Sequence, residues 1–501
     1  MQNRDGHAPE PEPIIRDGRK ADKRMGPSRF HARVGRPWPT LPGWGILVSG
    51  ADSAAVRALC VYRYVSVLLF SFPSLSFSLS PTMTDDTCSD GSADAVTSRR
   101  TGAVLRRLPV GIWAMGMASM FMDVSSELIH ALLPMFMVGT LGASMVTVGV
   151  IEGVAEATAA VMKVFSGALS DYFGRRKGLM VFGYGLAALS KPVFALTHSI
   201  GLVFTARFVD RIGKGIRGAP RDALVADMTA PEERGAAYGL RQALDSLGAL
   251  LGPLAAMGLL MWWTHDVRTA MWWAVLPALL AVTLLVVGVR EPAAETRPHR
   301  TAGIPLRRSS IAQLPLAFWM VVLLGAIFTL ARFSEAFLVL RAQGMGLPEA
   351  EVPVVMVIMN VMYAGCAYPA GAAADRCASS LLLGAGLVTL VLADVVLALA
   401  PGRTLLWVGA ALWGLHMALT QGLLSKMVAD TAPPALLGTG FGLFNLVSGA
   451  ALLVASTLAG ALWQHFGAPA TFWTGAGFAT LALLALPWAA AACRAPARHQ
   501  Q

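Results

Sequence analysis

The stretch Arg207–Asp222, RFVDRIGKGIRGAPRD, carries five basic residues and two aspartates in sixteen positions. The apolar run before it, Ser199 to Ala206, is far shorter than the ~20 helical residues needed to cross a bilayer. Either the charges belong to a solvated loop between spans, or they lie on a membrane helix and act there. At bilayer depth each charge costs at least about 2.5 kcal/mol unless it faces a protein interior or a water-filled cavity. Placed at 100° per residue, Arg207, Asp210, Arg211, Lys214, Arg217, Arg221 and Asp222 fall within an arc of about 140°. A loop has no reason for that alignment. A rise of 1.5 Å per residue puts Arg207 about 12 Å and Lys214 about 22 Å in from Ser199. Arg207, Asp210 and Arg211 are therefore expected at depth, with Arg217, Arg221 and Asp222 reaching the interface.

Composition supports the membrane reading. Of 501 residues, 55% are hydrophobic and only 14% charged, with a mean hydropathy of +0.58. A soluble chain carries about 25% charge. The apolar residues come in blocks of about 20–27, each long enough for a ~30 Å hydrocarbon core. The five cysteines, Cys60, Cys88, Cys366, Cys377 and Cys493, have no paired or metal-ligand spacing. They read as apolar fillers and free thiols, and no metal or cofactor is expected. The net charge of +10 points to membrane topology rather than to nucleic acid.

From Pro109 onward twelve candidate spans follow: 109–136, 145–166, 178–197, 200–226, 237–262, 271–289, 314–340, 352–373, 380–400, 404–427, 440–463 and 469–491. The expected fold is an all-α membrane protein of twelve transmembrane helices in two six-helix halves, 109–289 and 314–491. Between them lies a basic, Pro-rich linker, 290–313, and a tail follows at 492–501. Residues 1–108 form a polar extension. Tyr64–Ser80 is marginal as a span, and translation is expected to begin at Met83, which opens a short polar leader. With the N-terminus inside, the cytoplasmic breaks collect Arg175, Arg176, Lys177, Arg290, Arg297, Arg307 and Arg308 among others. Only Arg268, Arg341 and Arg403 fall outside. Basic residues are retained in the cytoplasm during insertion, so both termini are expected there, in an inner (plasma) membrane.

The halves repeat. Gly167-Ala-Leu-Ser-Asp171 returns as Gly371-Ala-Ala-Ala-Asp375, and Asp227, Pro231, Gly235, Gly239 and Leu240 return as Asp430, Pro434, Gly438, Gly442 and Leu443. Ser126-Glu127 is echoed by Ser334-Glu335. Two related bundles suggest transport by rocking around a site at their interface.

Gly167-Ala-Leu-Ser-Asp171-Tyr-Phe-Gly174-Arg175-Arg176-Lys177 resembles the loop between helices two and three that marks the major facilitator superfamily, and the resemblance extends over roughly residues 105–492. Physically, Asp171 ends a helix on the cytoplasmic side, where its carboxylate can pair with a helix N-terminus or a nearby Arg and clamp the halves in one state, and Asp375 is its repeat. The basic triplet holds the loop at the cytoplasmic face, the alternative being a positive-inside anchor alone. Gly248-Ala-Leu-Leu-Gly252-Pro253 resembles the family's antiporter motif, departing at Leu254-Ala255-Ala256. Its glycines and proline would let the fifth helix pack closely and bend. Either Arg207 or Arg211 stands where the family often has a fourth-helix arginine.

Partners for the basic helix are legible on its neighbours. Asp123, Glu127 and His130 share one face of the first span, Glu152, Glu156 and Lys163 one face of the second, and Arg241 and Asp245 one face of the fifth. The second half offers Arg332, Glu335, Asn360, His416 and Asn445. Asp123, Glu127, Glu152 or Glu156 is expected to carry a coupling proton, with substrate competing for the arginines. The alternative is a permanent ion-pair network that only fixes helix register. His130 and His416 read as packed, hydrogen-bonded imidazoles.

The expected function is secondary active transport of a small organic solute, by proton-coupled efflux in a monomer. The alternative is proton-coupled uptake of an anionic or zwitterionic metabolite, and a non-transporting sensor or scaffold is the third reading. The sequence holds no Ser/His/Asp order, HExxH or Walker loop, which argues against an enzyme and against ATP-driven transport.

Overall fold

The structure, a computed structural model, describes residues 108–173, 176–230, 233–291, 311–374, 377–420, 422–433 and 436–494, with the backbone alone at 168, 171–173 and 492–494. The expected start at Met83, most of the linker, and the motif residues Gly174, Arg175 and Asp375 lie outside these residues, as does the side chain of Asp171.

Twelve helical spans follow one another: α1 Val110–Thr140, α2 Met145–Phe173, α3 Arg176–Leu196, α4 Ile200–Met228, α5 Arg234–Trp262, α6 Val267–Gly288, α7 Leu316–Gly344, α8 Val354–Ala374, α9 Ser379–Leu399, α10 (Arg403–Thr420 and Leu423–Thr431), α11 Leu437–Phe466 and α12 Ala468–Arg494. By length and composition, ten of the described helices can cross a membrane. The other two are α4, for its charges, and α10, which is split at Gly422, where φ is 78°.

Two further interruptions matter. The last turn of α1, Phe136–Thr140, is a π-helix. Within α7 the helix stops at Ala331 and resumes at Ala336, so Arg332–Glu335 is unwound in mid-bundle. No proline or glycine stands in that segment to announce it.

Side chains cap some helix starts, α4 and α6 among them. Ser199 caps α4 by accepting the Leu202 N–H. Asp266 caps α6, its carboxylate accepting the Thr269 hydroxyl at 2.7 Å and the N–H groups of Thr269 and Arg268 at 3.0 and 3.2 Å. These bonds, the hydroxyl first, hold its carboxyl below the usual carboxylate range. The capping contribution is therefore full at neutral pH and fades as the pH falls through that lowered value. Asp266→Ala should cost about 1 kcal/mol at pH 7, read as thermal unfolding in detergent, with the deficit shrinking below about pH 4.

Packing separates the two ends of the bundle. Leu108 and the end of α12 lie at one end, here the terminal end. At the opposite, far end, one apolar core joins residues from both halves, with Leu132, Leu133, Phe136 and Met137 of α1 in the same cluster as Phe337, Leu338 and Leu340 of α7, and this core continues along the second half to Leu314 and Met427. At the terminal end of the first half, a separate cluster built on Ile112, Met115, Met180, Tyr184, Leu224 and Leu285 draws only on α1 and α3–α6 among its helices. Across the halves α2 packs along α11, and α5 along α8.

Candidate functional site

The α2–α11 crossing seals the far end backbone to backbone. A Cβ at Gly149 would press on the Ser456 carbonyl oxygen and lie 3.3 Å from Gly460 Cα, while one at Gly460 would lie 3.0 Å from Val146 Cα. Gln464 accepts the Met145 N–H there at 3.0 Å. Toward the terminal end the two helices stay in contact, a Cβ at Gly153 reaching 2.9 Å from the Leu453 carbonyl oxygen and one at Gly449 2.9 Å from Ala160 Cβ, and a cleft lies beside this seam.

α4 forms one wall of that cleft, and its charged face is a ladder of ion pairs. Arg207 donates to Glu152 at 2.6 Å, Arg211 lies 3.2 Å from Glu156, and Arg217 reaches Asp123 at 3.4 Å. Arg221 meets Asp245 at 3.4 Å, and Arg241 meets Asp222 at 2.9 Å and Asp245 at 3.7 Å. Arg207, Asp210, Arg211 and Arg217 are buried. Buried charges persist only when paired and hydrogen-bonded, so the ladder is the condition for a charged α4 to exist at depth.

Arg217 and Arg221, expected to reach the interface, are also drawn into the ladder. Arg217 is 4% exposed, stacks over Tyr184 at 4.7 Å, and continues the ladder together with Arg221, which also donates to Ser119. The fifth helix is close enough to supply carboxylates, so the charges stay inside.

Glycines on α5 set the α1 acids in place. A Cβ at Gly248 would lie 2.6 Å from Met120 O and 3.0 Å from Asp123 Cβ, and one at Gly252 would lie 2.6 Å from Glu127 Cβ. Any side chain at either position would push α1 away. The motif read as a bend in α5, with Pro253 inside the helix, thus also fixes where Asp123 and Glu127 stand. His130 lies 3.4 Å from Glu127 and 3.8 Å from Glu152, which joins the α1 and α2 acids.

The cleft has two lobes. The larger, about 570 Å³, lies toward the terminal end and is lined by Asp123, Lys163, Arg217, Arg221, Arg241 and Asp245, with Asn445 and Ser448 of α11 opposite. The deeper, about 430 Å³, reaches His130, Arg211, the unwound Arg332–Glu335, Asn360 and Tyr363. Both are lined by Glu127, Glu156, Lys214 and Thr329, so they form one cleft between the halves. The second half enters it through the α7 break. Ser334 donates to Glu152 at 3.5 Å, its N–H donates to Ser456 at 3.2 Å, and Asn360 donates to the Ala249 carbonyl at 2.9 Å.

At the terminal end the loop motif is tied to its own half. Arg176 donates to Asp227 at 2.5 Å and to the Ala223 carbonyl at 2.8 Å, while Lys177 donates to the Val286 carbonyl at 2.8 Å. Both basic side chains therefore bind protein groups, beyond any role as lipid anchors. A Cβ at Gly167 would lie 3.6 Å from Ala219 Cβ, and one at Gly371 would meet open space.

Two buried charged residues were not singled out from the sequence. Lys191 on α3 is 1% exposed and donates to Asp210 at 2.7 Å and to Ser126 at 3.0 Å. The signal was a lone lysine in an apolar run, nineteen residues before Asp210 in sequence. Asp394 on α9 is fully buried, and neither carboxyl oxygen has a hydrogen-bond partner among the described residues. It faces Gly475 of α12 and Phe333. His416 is buried with Nδ1 2.5 Å from the Trp413 carbonyl, as a packed imidazole should be.

Comparisons with known proteins converge on one family. Residues 115–357 and 335–501 match the family model described as Major Facilitator Superfamily. An uncharacterized MFS-type transporter of Methanocaldococcus jannaschii is 29% identical over 366 residues, covering 72% of this chain and 90% of the relative. The multidrug resistance protein MdtH of Yersinia enterocolitica is 31% identical over 140 residues, covering 28% of this chain and 35% of that protein. A crystal structure of the peptide transporter POT in complex with sulfate shares the fold, with a TM-score of 0.63 at 15% identity over 78% of this chain and 99% of that one. This chain, a multi-pass membrane protein with many apolar helices, belongs to the major facilitator superfamily of transporters.

Proposed function

We propose that this transporter exports a small organic solute in exchange for protons, as a monomer in the inner membrane with both termini in the cytoplasm. The terminal end is then the cytoplasmic end, and the structure corresponds to an inward-facing state. One observation carries the reading. Asp123, Glu127 and Glu156 line the cleft between the halves while each stands opposite a cation of α4 or His130. A solute that competes for those cations changes the affinity of the carboxylates for protons, which is the requirement for coupling. Export is supported by the partial match to multidrug resistance proteins and by the Gly248–Pro253 motif.

The test uses purified protein in liposomes loaded with a pH-sensitive dye, screened against organic solutes. Asp123→Asn or Glu127→Gln should lower solute-driven proton flux roughly a hundredfold, the scale on which losing a positioned proton-transfer group acts. Flux that survives both changes removes these residues as carriers. In inverted vesicles an acid interior should drive accumulation of the solute. If it instead drives the solute out, the same machinery works as a symporter.

A further inference from the structure

The ladder leaves two cleft cations over. Asp123, Glu156, Asp222 and Asp245 are each within ion-pair distance of Arg217, Arg211, Arg241 or Arg221, and Glu127 lies against His130. Lys163 and Lys214 also line the larger lobe, and neither has an ion-pair partner among the described residues. Both are exposed to the cleft. They are also neighbours, because the α2–α4 crossing runs through Gly215. A Cβ there would lie 2.8 Å from Ala159 O and 3.2 Å from Lys163 N, and one at Gly218 would meet Lys163 Cγ at 4.0 Å.

Lys163 is eighteen residues along α2 from Met145, about 27 Å from the far end, and about 15 Å short of the helix end at Phe173. It stands inside the protein, not in a solvated loop. Across the lobe, Ser448 on α11 has a buried Oγ with no hydrogen-bond partner among the described residues. Gly449 beside it packs against α2, where its Cβ would lie 2.9 Å from Ala160 Cβ. Two ammonium groups on one half, neither within ion-pair distance of a carboxylate among the described residues, thus line the same lobe as a serine of the other half.

We infer that Lys163, Lys214 and Ser448 form the subsite for an oxyanion group of the solute, so that the substrate class is a small organic acid. The inference rests on the transporter reading and specifies what is carried. The ammonium groups supply charge-assisted hydrogen bonds and the hydroxyl a third donor. An anion bridging them would tie the two halves together.

Two dyes of similar size separate the possibilities, the anion carboxyfluorescein and the cation ethidium, measured by fluorescence anisotropy on the full-length protein in nanodiscs. Carboxyfluorescein should bind, and Lys163→Met or Lys214→Met should weaken it at least about tenfold each, the scale of losing one charge-assisted hydrogen bond. Lys214→Arg, which keeps the charge and the fold, should retain most of the affinity. Affinity for carboxyfluorescein that is absent, or unchanged in both methionine variants, overturns the assignment, and so does preferential binding of ethidium. Proteoliposome assays keep this separate from the coupling reading. Ethidium moved by a proton gradient without carboxyfluorescein leaves a transporter and discards the anion subsite. Lysine-dependent carboxyfluorescein binding without proton-driven movement supports the subsite and discards the coupling.

Discussion

Arg207→Met should destabilise the protein by about 3–5 kcal/mol, while Arg207→Met combined with Glu152→Gln should recover most of that loss. The reason is what the single change leaves behind. Glu152 is fully buried, and its strongest partner is Arg207 at 2.6 Å. Without that guanidinium, Ser334 at 3.5 Å and His130 at 3.8 Å are the polar groups left within 4 Å of its carboxylate among the described residues. An uncompensated buried charge costs more than the pair contributes, so the second substitution, which removes the charge, repairs the first. Denaturant unfolding in detergent reads both variants. The exposed pair Arg403–Glu351, at 3.3 Å, is the control, and Arg403→Ala should change stability by less than about 1 kcal/mol. A single Arg207 variant as stable as the wild type would mean that water or a neighbouring group already satisfies Glu152.

Gly149→Leu should lower transport by roughly a hundredfold without unfolding the protein, and should open the far end. A 1 Å misplacement of working groups is enough for a loss of that size. The Gly149 Cβ has no room against the Ser456 carbonyl, and backbone lies on both sides of the contact. The added side chain can be accommodated only if α2 and α11 separate there. In a two-state rocker, parting the far end favours closure of the terminal end. In a background without the five native cysteines, a far-end cysteine at Ser456 should gain reactivity toward a membrane-impermeant maleimide while one at Ser448 loses it. Gly185, whose Cβ would meet open space, is the control position for the same substitution. Equal labelling at both ends in Gly149→Leu would contradict the rocking assignment.

The parts legible in the sequence were those with a period or a partner. Arg207–Asp222 read as a helix face because its charges recur at helical spacing, and Asp123, Glu152 and Glu156 read as counterparts because they form stripes of their own. Arg207–Glu152, Arg211–Glu156 and Arg217–Asp123 bring those stripes together. Residues that act alone left no such pattern. Lys191 sits singly in an apolar run, and Asp210, its partner, is identified only by the packing of α3 on α4. Asp394 is likewise a lone carboxylate in an apolar span. The α7 break at Arg332–Glu335 is tertiary in origin, since Ser334 gives its N–H to Ser456 of α11 instead of to its own helix. Helical rise measures distance along one helix and so did not show that Arg217 and Arg221 are enclosed by ion pairs, which depend on the carboxylates that α1 and α5 bring alongside.

In the proposed transport cycle the two halves rock about a charged cleft that is sealed at one end at a time. Paired spin labels test it most directly, with one pair at Thr140 and Gly344 across the far end, and another at Gly235 and Lys426 across the terminal end, all exposed positions. Distances measured by electron–electron resonance at neutral and at acid pH should change in opposite senses, the far-end pair lengthening as the terminal-end pair shortens. Distances that stay fixed at both ends, or that lengthen together, would contradict alternating access in this protein.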